Sequence, residues 1–294
     1  MPDSARCILG AKVDSLLDVR LPCFASFKLD GIRARWWHLE FMSRTFKTIA
    51  NRNLRALAAE HLAGCTGWDG EIIVGDPTDP MCFRKTESFV NSRSKPIPPE
   101  GVRFFVFDHS LAPGGFADRI QQLGDRSPFC VVLNQVLLTE FEELVTFEEY
   151  AVNRRYEGII TRSPTGRYKN GRSTLREQLL LKVKRVEHHE ARIVDFEELQ
   201  RNFNEPTSDE RGYTKRSSAQ GGKVPGGTLG AIVGLWEDRK VRVGSGFTQA
   251  ERDEIWSRRE QYLGGAVRFK RLAATGGYDL PRSAIYEGIR LPGT

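Results

Sequence analysis

The sequence predicts an α+β chain of two domains, a mixed strand-and-helix domain followed by a small β-barrel. Three observations lead there. The chain has 294 residues, enough for two domains at about 100–200 residues each. Short apolar runs alternate with helix-spaced segments up to residue 187. Beyond it, strands that alternate apolar and basic residues take over, as in KVRV (240–243) and VRFKR (267–271), a pattern with one face buried and the other cationic. At 39% hydrophobic and 28% charged, the composition is that of a folded chain able to bury a core.

The first informative stretch is FASFKLDGIRARWW, residues 24–37. Phe24, Phe27, Ile32, Trp36 and Trp37 are packing residues, and Asp30-Gly31 is a strong hairpin-turn signal. The expectation is a tight turn between two paired strands, with Lys28 at its lip. NRNLRALAAEHLAG (51–64) spaces Leu54, Leu57, Ala58 and Leu62 as a helix ending at Gly64. TEFEELVTFEEYAVNRRY (139–156) reads as a second helix opened by a Thr139/Glu142 capping box. Between them EIIV (71–74), FFVFD (104–108), CVVLNQVLL (130–138), GIIT (158–161) and LLLKVK (179–184) read as interior strands.

After residue 187 the segments 190–196, 228–236, 240–246, 265–272 and 283–290 read as five strands, and 248–264 as a helix with a Thr248/Glu251 capping box. Five strands and one helix predict a barrel of OB type. The expected domains are 1–187 and 188–294. Residues 199–227 are polar and rich in Gly, Pro and Ser, and 211–223 carry four basic residues and no acid. They read as a surface loop, or as a nucleic-acid-binding insertion.

A formal charge of +6 fits a nucleic-acid partner or a merely basic surface. No apolar run approaches the roughly 20 residues of a membrane span. The opening MPDSARCILGAKVD has acids and no apolar signal core. The five cysteines form no CxxC pair, which speaks against a zinc site or a disulfide framework and for a cytoplasmic protein. His38, His61, His109, His188 and His189 make no triad, and Gly221-Gly222 and Gly226-Gly227 lack the lysine of a P-loop.

The chemistry lies in an ordered set of strand ends: K-L-D-G-I-R (28–33), S-R-T (43–45), D-G-E (69–71), F-F-V-F-D (104–108), E-G-I-I (157–160) and L-L-K-V-K (180–184). Each alone is weak, and Lys182 and Lys184 alone would read as lysines guarding an edge strand. Together they resemble the motifs of the covalent nucleotidyltransferases, and the whole chain is similar to the minimal ATP-dependent DNA ligases of phages and large DNA viruses. GYTKRSSAQGGKV (212–224) and the terminal PRSAIYEGIR (281–290) extend that resemblance.

The resemblance implies a nucleotidyltransferase domain with antiparallel sheets (an ATP-grasp-like adenylation fold), followed by an OB-fold barrel whose insertion at 199–227 acts as a DNA-encircling latch. It implies Lys28 as the nucleophile that takes AMP from ATP. Free lysine has a pKa near about 10.4, and Arg33, Lys182, Lys184 and Mg²⁺ are expected to lower it. Lys182 and Lys184 would meet the α-phosphate, Glu71 the ribose and the metal, and Glu157 the Mg²⁺, with Mn²⁺ as a substitute. Phe107 is expected to stack on adenine, although Phe105 shares its parity. Asp30 would assist sealing or shape the turn. Arg44 would grip the nick 5′-phosphate. Lys215, Arg216 and Lys223 would touch DNA, and Arg282 would orient pyrophosphate. In the terminal motif Ala284 stands for the family's proline and Tyr286 for its phenylalanine. The expected partner is nicked duplex DNA, encircled by a monomer. The rivals are an RNA ligase or capping-type enzyme, whose R-x-D-K end motif is missing here, and a non-catalytic OB-type DNA-binding protein.

Overall fold

The computed structural model describes residues 6–125, 127–184, 186–208, 214–217, 219–272 and 284–293. The chain divides into two compact units, the first reaching Lys184 and the second beginning at residue 185. In the first unit the elements are β1 (Ile8–Leu9), β2 (Ala11–Val13), β3 (Cys23–Phe27), β4 (Ile32–Trp37), β5 (Glu40–Ser43), α1 (Arg52–His61), β6 (Trp68–Val74), α2 (Cys82–Val90), β7 (Val102–His109), α3 (Phe116–Ile120), β8 (Cys130–Val132), β9 (Val136–Leu138), α4 (Phe141–Asn153), β10 (Ile159–Arg162), β11 (Gly171–Arg172) and β12 (Leu181–Val183).

Two five-stranded sheets organise this unit, ordered β2-β12-β10-β3-β9 and β5-β4-β6-β7-β8. The second buries Trp36, Phe41, Trp68, Ile72, Phe104 and Val106 against Leu54 and Ala58 of α1 and Phe89 of α2. The first buries Ala25, Leu138, Ile159, Leu181 and Val183 against Leu144 and Ala151 of α4. Asn51 caps α1, its side chain accepting from Leu54 N at 2.9 Å. α4 starts one residue later than its expected box: Glu140 is the cap, and the Glu143 carboxylate accepts from the backbone N–H groups of Thr139 and Glu140.

Two expectations about pairing fail here, for one reason. Asp30-Gly31 does not close a hairpin, because β3 and β4 belong to different sheets. The run 130–138 is not one strand, because β8 lies in one sheet and β9 in the other. Local turn chemistry and apolar runs report strand content, whereas the choice of partner depends on contacts remote in sequence. Gly31 is required by crowding: a Cβ there would run into the Ile72 carbonyl oxygen and the Ile73 side chain.

The second unit contains β13 (Val186–Asn202), β14 (Pro206–Ser208), β15 (Thr214–Arg216), β16 (Lys223–Trp236), β17 (Arg239–Ser245), α5 (Gln249–Ser257), α6 (Arg259–Tyr262), β18 (Ala266–Leu272) and β19 (Ala284–Arg290). Each of β13, β16, β17, β19 and β18 pairs with two of the others. Ile193, Val241, Val243, Val267 and Phe269 face inward with Ile255 of α5. Thr248 caps α5, as its box with Glu251 predicts.

The expected loop at 199–227 is largely a two-stranded ribbon. β13 and β16 stay paired out to Asn202 opposite Lys223, and β14 pairs with β15 beyond them. Backbone pairing supplies the ribbon's hydrogen bonds without an apolar pattern, so composition could not reveal it. Among the described residues, no helix is long and apolar enough to cross a membrane.

Candidate active site

A cavity of about 370 Å³ opens in the first unit. Its wall takes Ser26–Leu29 from the end of β3, Gly31–Arg33 from β4, Ser43 and Arg44 after β5, Glu71 from β6, Phe107 from β7, Ile160 and Arg162 from β10, and Leu180 and Lys182 around β12. Both sheets contribute, because the chain crosses between them at Leu29–Gly31. Ile8, Leu9 and Gly10 close one side. A Cβ at Gly10 would collide with Leu180 and Lys182, so that segment passes hard against them.

Lys28 is 15% exposed, and its ammonium donates to Glu157 Oε2. The other oxygen of the same carboxylate accepts from Lys184 Nζ. Burial pulls the Lys28 ammonium down, but the charges of Glu157 and Glu71 and the hydrogen bond to Glu157 outweigh it, and its pKa stands above the ordinary lysine value. The expected depression of Lys28 by the side chains of Arg33, Lys182 and Lys184 is outweighed by these carboxylates. A carboxylate at hydrogen-bond distance dominates cations farther away. The depression falls on the other lysines. Burial, then Lys28, Arg33 and Lys184, lower Lys182 to about 8. Burial and Lys28 also lower Lys184, against the pull of Glu157. Glu157 itself is lowered: burial opposes its charge, and Lys28 and Lys184 prevail.

Glu71 lines the cavity, and its Oε1 accepts from Gly31 N at 2.9 Å. Burial raises its carboxyl despite Lys28 and Arg33. Asp30 does not line the cavity; its charge is one of those that raise Lys28. Phe107 lines the cavity, while Phe105 packs below it with Leu29 and Ile73. Arg44 stands at the exposed rim.

Behind the wall lies a buried ionic network that the sequence reading missed. Asp69 and Asp108 are cross-strand partners on β6 and β7, both fully buried. Arg33 donates a fork to Asp69, at 2.7 Å and 2.6 Å. Tyr168 donates to the same carboxylate at 2.5 Å. Asp108 accepts from Arg119 Nε at 2.8 Å and Arg162 Nη1 at 2.5 Å. The Arg33 guanidinium lies 4.5 Å from the centre of the Phe107 ring, and that of Arg162 lies 5.4 Å from it. The network therefore fixes the cations and the aromatic ring together. The acids of D-G-E and F-F-V-F-D were the available signal.

In the second unit, Arg216 donates to the Asn204 carbonyl and Lys223 stands opposite Asn202. The Lys215 side chain and Arg282 lie outside the described residues. Among those residues no group of three or more His, Cys, Asp and Glu gathers as a metal site.

No protein-family model and no curated protein sequence matches the chain. Solved structures do. Two crystal structures of Chlorella virus DNA ligase-adenylate are 26% and 28% identical, with TM-scores of 0.54 and 0.55. They cover 97% and 98% of this chain and 99% of their own. A Lig E DNA ligase, described as binding DNA with a minimal scaffold, shares the fold at a TM-score of 0.68 and 23% identity, over 97% of this chain and 99% of its own. Along nearly its whole length, then, this sheet-rich α+β chain resembles the minimal ATP-dependent DNA ligases.

Proposed function

We propose that the protein seals 5′-phosphate/3′-hydroxyl nicks in duplex DNA, using ATP. In this reading residues 1–187 form the nucleotidyltransferase domain and residues 188–294 an OB-fold barrel domain. The observation that carries the reading is Lys28 at a cavity where Arg33, Arg44, Glu71, Phe107 and Lys182 converge, in a chain similar to a DNA ligase-adenylate.

The first step joins Lys28 Nζ to the α-phosphorus of ATP. A P–N bond forms, the bond from that phosphorus to the bridging oxygen breaks, pyrophosphate leaves, and Lys28 gives up its protons to become a phosphoramidate nitrogen. Lys182 lines the same cavity and would offset charge growing on the α-phosphoryl oxygens. Phe107, braced by Arg33 and Arg162, offers a ring face to adenine. A phosphate oxygen at the nick then attacks the AMP phosphorus, breaks the P–N bond and gives DNA-adenylate. The 3′-hydroxyl attacks the DNA 5′-phosphorus and releases AMP. Arg44 at the rim suits the 5′-phosphate, which arginine binds through two parallel bonds.

Mg²⁺ takes one or two carboxylates beside water and phosphate oxygens. Glu71 and Glu157, the two acids that act most strongly on Lys28, fit that demand and would hold it. When bound it would neutralise phosphate charge. Arg201, Arg216, Lys223 and the exposed Phe203 and Val224 would carry DNA contacts on the ribbon, in a monomer that encircles the duplex.

The test is incubation with α-labelled ATP and Mg²⁺, mapping of the acid-labile adduct, and a gel of nicked DNA, nicked RNA–DNA hybrid and single-stranded RNA. The reading expects label on Lys28, none on Lys28→Ala, and sealing of nicked DNA. Sealing of RNA alone would favour an RNA ligase. The absence of any covalent AMP would favour a DNA-binding protein without catalysis.

A further inference from the structure

The residue before the nucleophile and the residue before its carboxylate partner are both aromatic, and they stack. The rings of Phe27 and Tyr156 lie 4.3 Å apart at 12°. Phe147 of α4 stacks on Phe27 as well, at 5.3 Å and 8°. We propose that the Phe147–Phe27–Tyr156 stack is a positioning device that holds Lys28 and Glu157 in register as one unit. The proposal rests on the assignment of Lys28 as the adenylylated lysine.

The backbone supports it. Lys28 N donates to Gly158 O at 2.9 Å, so the backbone just after each ring is tied as well. Phe27 pairs with Ile159 across the β3–β10 ladder. Tyr156 N donates to Ala151 O at 3.0 Å, which anchors the start of the Tyr156-Glu157-Gly158 segment on α4. α4 is held in turn by the buried Leu144 and Ala151. A Cβ at Gly158, whose φ is 141°, would meet the Val183 carbonyl, so the segment is also pressed against the strand leading to Lys184. With Phe27 and Tyr156 clasped, the residues that follow them, Lys28 and Glu157, stand within hydrogen-bond reach of each other.

Tyr156 does not line the cavity, so its role differs from nucleotide binding. Loosening the stack weakens the contact between Lys28 and Glu157 and lets the amine leave the position that the contact gives it.

The experiment compares Tyr156→Leu, Tyr156→Phe and Tyr150→Leu in the full chain, by rates of lysyl-AMP formation against ATP concentration. Tyr150 is a fair control, being 45% exposed with its ring 5.9 Å from Phe27. Tyr156→Leu is expected to slow adenylylation about 10- to 100-fold, the scale of a small misplacement of a reacting group. KM for ATP should stay unchanged, so that the loss falls on the rate alone. Tyr156→Phe should restore the rate, and Tyr150→Leu should match the unaltered protein. A Tyr156→Leu protein with a lower melting temperature but the original rate, or one whose loss lies in KM for ATP alone, would overturn the proposal. If the unaltered protein forms no adduct on Lys28, the functional reading fails first, and separately.

Discussion

Lys28 and Lys184 share one carboxylate: each ammonium donates to a different oxygen of Glu157. Lys28, the proposed nucleophile, is therefore held as a stabilised cation and not as a free amine. The cations that surround it spend their effect on Lys182 and Lys184.

That arrangement sets a pH dependence. The Lys28 pKa is raised, with Glu157 the strongest raising charge. The reactive amine thus appears only as pH climbs toward that raised value. Glu157→Gln removes the cause, and burial and the nearby cations then pull the pKa down. The rate of lysyl-AMP formation should peak lower, because an acid proposed to hold Mg²⁺ is lost, and its alkaline rise should begin at lower pH. Labelling across about pH 6–10 measures this. An unmoved limb would show that Glu157 does not govern the Lys28 proton.

Lys182 offers a second titration. With a pKa of about 8 it is partly neutral at that pH. Phosphate placed beside it favours the charged form, so ATP binding at about pH 8 should take up protons. Calorimetry in two buffers of different ionisation enthalpy reads the uptake directly, and Lys182→Met should abolish it. Alanine at Lys182 should cut the adenylylation rate by about 10²–10³. A normal rate with only a lowered melting temperature would make it an edge-strand charge.

Gly31→Ala should fail where Gly124→Ala does not. The added Cβ at Gly31 meets a backbone carbonyl that cannot swing aside, whereas nothing lies within 4 Å at Gly124. Overpacking of this kind costs about 1–3 kcal/mol. Thermal melts should show the loss, and labelling should show slowed adenylylation, because the crossover carries Lys28.

Asp108→Ala leaves Arg119 and Arg162, each with a side chain 2% exposed, without their carboxylate. Removing one partner of a buried pair costs about 3–5 kcal/mol. Urea unfolding should report a loss of that order. An unchanged midpoint would show that the network rearranges to neutralise the arginines.

The ribbon separates two ways of holding DNA. Replacing 201–224 by a short Gly/Ser turn should leave Lys28 adenylylation nearly intact and weaken nick binding. The salt slope should flatten by about two to four units, at roughly 0.9 for each phosphate that is no longer neutralised. Phe203, 65% exposed, releases no counterions. Phe203→Ala should therefore lower affinity without changing the slope. A deletion protein that binds nicked DNA with the same affinity and slope would reduce the ribbon to a surface feature.

Strand content, helix starts and the order of the reactive residues were legible in the sequence, because periodicity, capping and short motifs are local. Thr248/Glu251 and the helix at 51–64 follow from that chemistry with little error. Lys28, Arg33, Glu71, Phe107 and Lys182 could be named, and the tertiary structure brings all of them to one cavity. It alone decided that Asp30-Gly31 spans two sheets and that 130–138 is divided between them. It also decided that Glu157 pairs with Lys28. Those outcomes depend on partners some 40 to 130 positions away, as for Gly31 with Glu71 and Lys28 with Glu157. A one-dimensional pattern records which face a residue prefers. It does not record which distant strand, or which charge, will stand opposite.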